Sequence, residues 1–138
     1  IQAAMGVAQM ENINEFIAKK RQIAQTYETA FSNTEGITTM STQSGVDPTF
    51  WLYTVLLPDD TGLEHRKSVV TYLNDSGVGA RPLWHPIHGL PPYRDCQSHR
   101  IEHSPGLYRR AISLPSSVRH TAQDQQTAID TLSDRPKL

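Results

Sequence analysis

An apolar stripe sets the first limit on what this chain can become. Met10, Ile13, Ile17, Ala24, Tyr27 and Phe31 recur at spacings of three and four, with Lys20 as the one break, and Phe16 and Ile23 widen the stripe. Such spacing places side chains on one side of an α-helix. Glu15 stands four residues before Lys19, the favourable order for a helical ion pair. The pattern predicts one long helix, or two joined near Asn12 to Asn14, running to about Ser32, with Asn33 to Gly36 as its stop signal. The stripe itself reads as core packing, so another layer must cover it.

The remaining elements follow from period and punctuation. ITTM at 37–40 reads as a short strand and 41–49 as a polar loop. FWLYTVLLP is rich in aromatic and β-branched residues with both faces mostly apolar, which predicts a central strand closed by Pro58. Leu63, Arg66, Val69, Val70 and Leu73 recur at helical spacing, with Gly77 placed to end that helix. A second strand is expected over VGARPLW, 78–84, and a brief helix over 98–110, interrupted at Pro105-Gly106. AISLP forms a third strand, and TAQDQQTAIDTL a last helix capped by Thr121 with Asp124 in its first turn. The expected fold is α+β: a small, mostly antiparallel sheet with helices on one face, in a single domain spanning 1–138.

Composition removes several function classes. Thirteen basic against 14 acidic residues leave a formal net charge of −1. That balance gives no electrostatic footprint for nucleic acid or an anionic membrane. The most apolar stretch, FWLYTVLL, is far too short to cross a bilayer. Cys96 is alone, which excludes an internal disulfide and fits a reducing compartment, so a cytoplasmic location is expected. The chain opens at Ile1, already inside a helical pattern, and this predicts a piece of a longer protein.

Metal and nucleophile chemistry find little support. His85 and His88 form H-x-x-H, and His99 and His103 form H-x-x-x-H, but Pro86 and Pro105 disturb both pairs. Ser116-Ser117 lack a G-x-S-x-G elbow and read as turn-capping hydroxyls. Lys19, Lys20, Lys67 and Lys137 sit in or beside exposed polar stretches, and none reads as catalytic.

The chemistry therefore concentrates in RPLWHPIHGLPPY, 81–93, which holds four prolines, two histidines, a tryptophan and a tyrosine without an acidic residue. Proline-stiffened loops lose less entropy when held in one shape, which suits a preorganised site. Trp84 and Tyr93 offer flat faces for a sugar or a base, and Arg81, His85 and His88 offer donors to hydroxyls or phosphates. The competing structural reading is that Trp84 fills the core while the prolines turn the chain.

Taken in order, IQAAMGVAQMENINEFIAKKRQIAQTYETAF, the WLYTVLLP strand, GVGARPLWHPIHGLPPYRDC and ISLPSS resemble the C-terminal domain of the DegT/DnrJ/EryC1/StrS sugar aminotransferases. The resemblance spans about the whole chain. The paired RPLWHPIHGLPPYRDC and LPSS are most similar to the branch that aminates 4-keto nucleotide sugars for bacillosamine- or legionaminate-type glycans. It implies the small domain of a fold-type I enzyme dependent on pyridoxal 5'-phosphate, homodimeric when full length, using glutamate as amino donor and a nucleotide-sugar as acceptor. The cofactor lysine belongs to the family's larger domain, so this chain alone is expected to bind no cofactor and turn over nothing. Carried over, the resemblance implicates Trp84, His85, His88 and Tyr93 in substrate binding, with Arg81 beside them. Many family members have His-Tyr where this chain has Leu83-Trp84. Two other classes remain open from the residues: a free-standing small ligand-binding module, or a structural domain that dimerises through its N-terminal helix.

Overall fold

A computed structural model describes residues 1–135; Lys137 lies outside the described residues. The amphipathic N-terminal segment forms two helices, α1 (Gln2–Glu11) and α2 (Ile13–Phe31), joined at Asn12. Asn12 donates its side-chain amide to Ala8 O at 2.9 Å, so the polar joint is satisfied within α1. Then come β1 (Tyr53–Leu56), α3 (Leu63–Asp75), β2 (Arg81–Pro82), α4 (Ser104–Arg110), β3 (Ala111–Leu114) and α5 (Ala122–Ser133). The α5 cap is reciprocal: Thr121 Oγ1 accepts from Asp124 N at 3.1 Å, while Asp124 Oδ2 accepts from Thr121 N at 2.9 Å.

The sheet order is β1-β3-β2, antiparallel throughout. Tyr53 pairs with Leu114 and Val55 with Ile112. Side chains alternate across a strand, so these four share the face that meets Ile23, Tyr27 and Phe31 of α2, Val69 and Leu73 of α3, and Ala128, Ile129 and Leu132 of α5. The opposite face carries Thr54 and Ser113, whose hydroxyls lie 3.1 Å apart. This is the α+β arrangement expected from the sequence, with the helices packed on one face.

Four local expectations change. The central strand is β3, buried at all four positions, whereas β1 alternates buried and half-buried. FWLYTVLLP is apolar on both faces without being central: Leu52 and Leu56 are half-buried opposite Tyr53 and Val55, and Phe50 and Trp51 lie before the strand begins. ITTM contributes only a bridge from Thr38 to Leu56. Pro105 opens α4 instead of interrupting it, because a first-turn residue needs no amide donor. Of the ion pairs found among the described residues, none joins Glu15 to Lys19.

The centre of the core is aromatic. The rings of Tyr27 and Tyr53 stack with centroids 5.1 Å apart, and Tyr53 OH donates to Glu28 Oε2 at 3.0 Å. Burial raises the pKa of both phenols, and for Tyr53 the neighbouring Glu28 carboxylate raises it further. A raised folded-state pKa contributes stability that is intact below the unfolded tyrosine value of about 10 and falls as pH rises beyond it. The urea midpoint followed by circular dichroism should therefore hold steady to about pH 10 and then decline. The decline should be shallower in Tyr53→Phe, and equal slopes in the two proteins would contradict this assignment.

Candidate functional site: a proline-stiffened aromatic rim

The rim leaves the sheet at β2. Pro82 sits in an edge strand, where its missing amide donor is tolerated. Pro86, Pro91 and Pro92 then fix φ along two 3₁₀ turns, Ile87–Gly89 and Pro91–Tyr93. Hydrogen bonds from Gly89 N to Pro86 O (3.0 Å), Leu90 N to Ile87 O (3.1 Å) and Tyr93 N to Leu90 O (2.9 Å) close the turns.

The five residues singled out from the sequence do not converge on one point. Arg81 and Trp84 share a groove of about 200 Å³ with Trp51, Leu52 and Ser113. Trp84 is 72% exposed, so it does not fill the core; its indole stacks on that of Trp51, itself 69% exposed, with centroids 6.0 Å apart and planes 23° apart. His85 is exposed and leans on Tyr108, ring centroids 4.9 Å apart, with Nδ1 3.0 Å from Pro86 O. His88 is half-buried in the first 3₁₀ turn, and Tyr93 is exposed in the second. His99 lies outside α4 and His103 at its cap, so H-x-x-x-H occupies no common helix face. Among the described residues, no three potential metal-binding side chains cluster.

Sequence reasoning missed four contributors: Trp51, Lys20, Arg66 and Tyr108. The one available signal was Lys20, the break in the apolar stripe. Its ammonium group, far from lying in an exposed polar stretch, reaches Trp51 O at 2.6 Å, Ser116 O, and Ser116 Oγ at 3.2 Å. Burial lowers its pKa from the usual lysine value.

Arg66 is buried at 3% exposure, donates from Nη1 to Tyr108 O, and lies over the Tyr108 ring at 4.6 Å from its centroid. Tyr108 thus links α3 to His85. Gly89 lies against the same imidazole: a Cβ added there would stand 2.6 Å from His85 Cε1. Gly89→Ala should move the His85 ring off Tyr108 while changing stability by no more than about 0.5 kcal/mol, as for a surface change. Proton NMR should show the His85 Hε1 resonance losing its ring-current shift, and an unmoved resonance would contradict the packing.

Fold and site together define an α+β domain that holds a rigid, outward-facing aromatic loop at one end of its sheet. The chain belongs to the DegT/DnrJ/EryC1/StrS aminotransferase family, whose model matches residues 1–133. It is 33% identical over 116 residues to the GDP-perosamine synthase of Escherichia coli O157:H7, covering 83% of this chain and 30% of that protein. It is 31% identical over 136 residues to EpsN of Bacillus subtilis (strain 168), provisionally described as a pyridoxal phosphate-dependent aminotransferase, covering 96% of this chain and 34% of that one. Among solved structures, Helicobacter pylori PseC, an aminotransferase involved in pseudoaminic acid biosynthesis, superposes with a TM-score of 0.84 at 20% identity, covering 95% of this chain and 35% of that chain. The chain therefore spans about a third of the length of the relatives it matches.

Three lysines lie among the described residues. Lys20, the lysine with a lowered pKa, directs its N–H donors at two carbonyls and a hydroxyl. Lys67 is exposed on α3 and paired with Glu64 at 2.7 Å, and Lys19 lies on the α2 surface.

Proposed function

We propose that this chain is the C-terminal small domain, 1–138, of a cytoplasmic, homodimeric enzyme that moves an amino group from glutamate to a 4-keto nucleotide-sugar. Pyridoxal phosphate and its lysine then belong to the two thirds of the relatives' length that this chain does not cover. The cofactor, when bound, supplies the electron sink for amino transfer. The residues of this chain bind and orient: Trp84, Tyr93, Arg81, His85 and His88 form a rim over the substrate.

The observation that carries this reading is the outward exposure of the rim in a chain of this family. Trp84 at 72% and Tyr93 at 46% exposure present large flat faces from a loop whose prolines fix its shape. A relative from Saccharopolyspora spinosa, 28% identical over 138 residues, is named dTDP-4-dehydro-2,3,6-trideoxy-D-glucose 4-aminotransferase, which supports a 4-keto sugar as acceptor class. The helix α1 buries none of its residues and exposes Met5, Val7 and Met10, which fits a subunit or domain contact in the longer protein.

The test is to assay the full-length protein with pyridoxal phosphate, glutamate and UDP-, GDP- and dTDP-linked 4-keto sugars, following 2-oxoglutarate release. Turnover with one of the three supports the reading, and preference for a UDP-linked sugar would support the bacillosamine- or legionaminate-type branch. Absence of turnover with all three counts against it. Trp84→Ala should raise KM for the sugar nucleotide about tenfold, the scale of one lost stacking contact, with little change for glutamate. The 138-residue chain alone, mixed with pyridoxal phosphate, should show no aldimine absorbance that borohydride traps.

A further inference from the structure

Trp51 is held outward by its backbone and by a lysine. Phe50, just before it, has φ +50°, a left-handed conformation that a bulky aromatic residue adopts only when its surroundings enforce it. The Phe50 ring stays packed against the core, so the twist delivers the next side chain to the surface. The Trp51 carbonyl is fixed from behind by Lys20 Nζ at 2.6 Å, and the same ammonium binds the carbonyl and hydroxyl of Ser116. Ser116 is itself buried, with Oγ 3.5 Å from Trp51 O. A lysine set into an apolar stripe loses hydration, which its lowered pKa reflects, and no carboxylate offsets that loss among the ion pairs of the described residues.

We propose that Lys20 is a positioning residue. By fixing the Trp51 carbonyl it presents Trp51 and Trp84 as a two-indole wall, against which the base of the nucleotide-sugar stacks while Arg81 meets the diphosphate. This rests on the nucleotide-sugar reading above. Burying the indoles in the core would gain hydrophobic stabilisation, yet both are more than two-thirds exposed and stacked on each other. Arg81 lines the same groove. Flat rings beside a cation match the two halves of a nucleoside diphosphate, a base with a π-face and an anion.

The experiment measures binding, so it stands apart from amino transfer. UDP, GDP, dTDP and inorganic pyrophosphate are titrated calorimetrically into the full-length protein and into Trp51→Ala, Trp51→Phe, Lys20→Met and Lys20→Arg. At least one nucleoside diphosphate should bind more tightly than pyrophosphate. Trp51→Ala should weaken it about tenfold, and Trp51→Phe should retain most of the affinity because a flat ring remains. Lys20→Met should weaken it about fivefold, with Lys20→Arg restoring it, since a guanidinium also donates to two carbonyls. Pyrophosphate binding should stay unchanged in all four variants, whereas a merely structural lysine would lower the thermal midpoint and move every affinity together. Nucleoside diphosphate affinity within twofold of the parent in both Trp51→Ala and Lys20→Met overturns the proposal. So does a parent that binds no nucleoside diphosphate better than pyrophosphate, which would leave the wall to a protein contact. If nucleotide binding follows this pattern without amino transfer, the wall stands and the aminotransferase reading falls; turnover with an unaltered Trp51→Ala KM gives the reverse.

Discussion

Tyr27→Ala should lose about 3–5 kcal/mol of unfolding free energy, the range for truncating a buried aromatic side chain. Tyr27 has no exposed surface and sits between Phe31, ring centroids 6.0 Å away, and Tyr53, 5.1 Å away. Its removal opens a void where α2 meets the sheet and ends two stacking contacts. It also frees the carbonyl of Pro115, to which Tyr27 OH donates at 2.8 Å. Tyr27→Phe separates these contributions: it keeps the ring and should lose only about 1–2 kcal/mol for the unpaired carbonyl. Urea unfolding followed by circular dichroism measures both. A Tyr27→Ala loss below about 1 kcal/mol would mean that the core collapses around the gap and that the aromatic stack is not its keystone.

How much of this was legible in the residues depends on the range over which each feature is determined. The C-terminal half of the apolar stripe (Ile23, Ala24, Tyr27 and Phe31), the Thr121-Asp124 cap and the end of α3 before Gly77 are local patterns that the structure contains, whereas Met10 and Ile13 of the same stripe are exposed. Strand centrality is not local. AISL is short and has a serine, yet it lies between β1 and β2 because the chain returns there after α4, whereas the more apolar FWLYTVLLP stands outside it. The rim followed the same division. Its prolines and aromatics were readable, and their exposure follows from the loop's inability to join a sheet. That Trp51 belongs with Trp84 was not readable, because 33 positions separate them and the Phe50 twist that turns Trp51 outward leaves no mark in composition. Lys20 was visible as an anomaly, but its partners, Trp51 and Ser116, lie on distant segments. Arg66 shows the same limit: at helical spacing it reads as one more member of the α3 face, and only the fold reveals the ring beneath it.

Arg66→Ala should lower stability by about 2–3 kcal/mol, within the range for breaking a buried polar contact. The guanidinium serves Tyr108 twice, through its carbonyl and through its ring. Truncation leaves a carbonyl without its donor, at about 1–3 kcal/mol, and removes a cation–π contact of about 0.5–2 kcal/mol. It also strips the aliphatic stem from a packed site. Against these stands a relief: Arg66 is 3% exposed, forms no ion pair with a carboxylate among the described residues, and leaves Nε buried without a partner. Removing such a charge recovers part of its hydration, which is why the net figure lies below the sum. Arg66→Met restores the stem but no donor, so it should recover only part of the loss. Arg66→Lys keeps the charge, yet a compact ammonium cannot meet carbonyl and ring together as the planar fork does, so it should fall between Met and the parent. The His85 Hε1 resonance supplies the second readout: if Arg66 anchors the rim through Tyr108, that resonance shifts in Arg66→Ala as it does in Gly89→Ala. A destabilised Arg66→Ala protein with an unmoved His85 resonance would confine Arg66 to the α3–α4 contact and leave the rim held by its prolines alone.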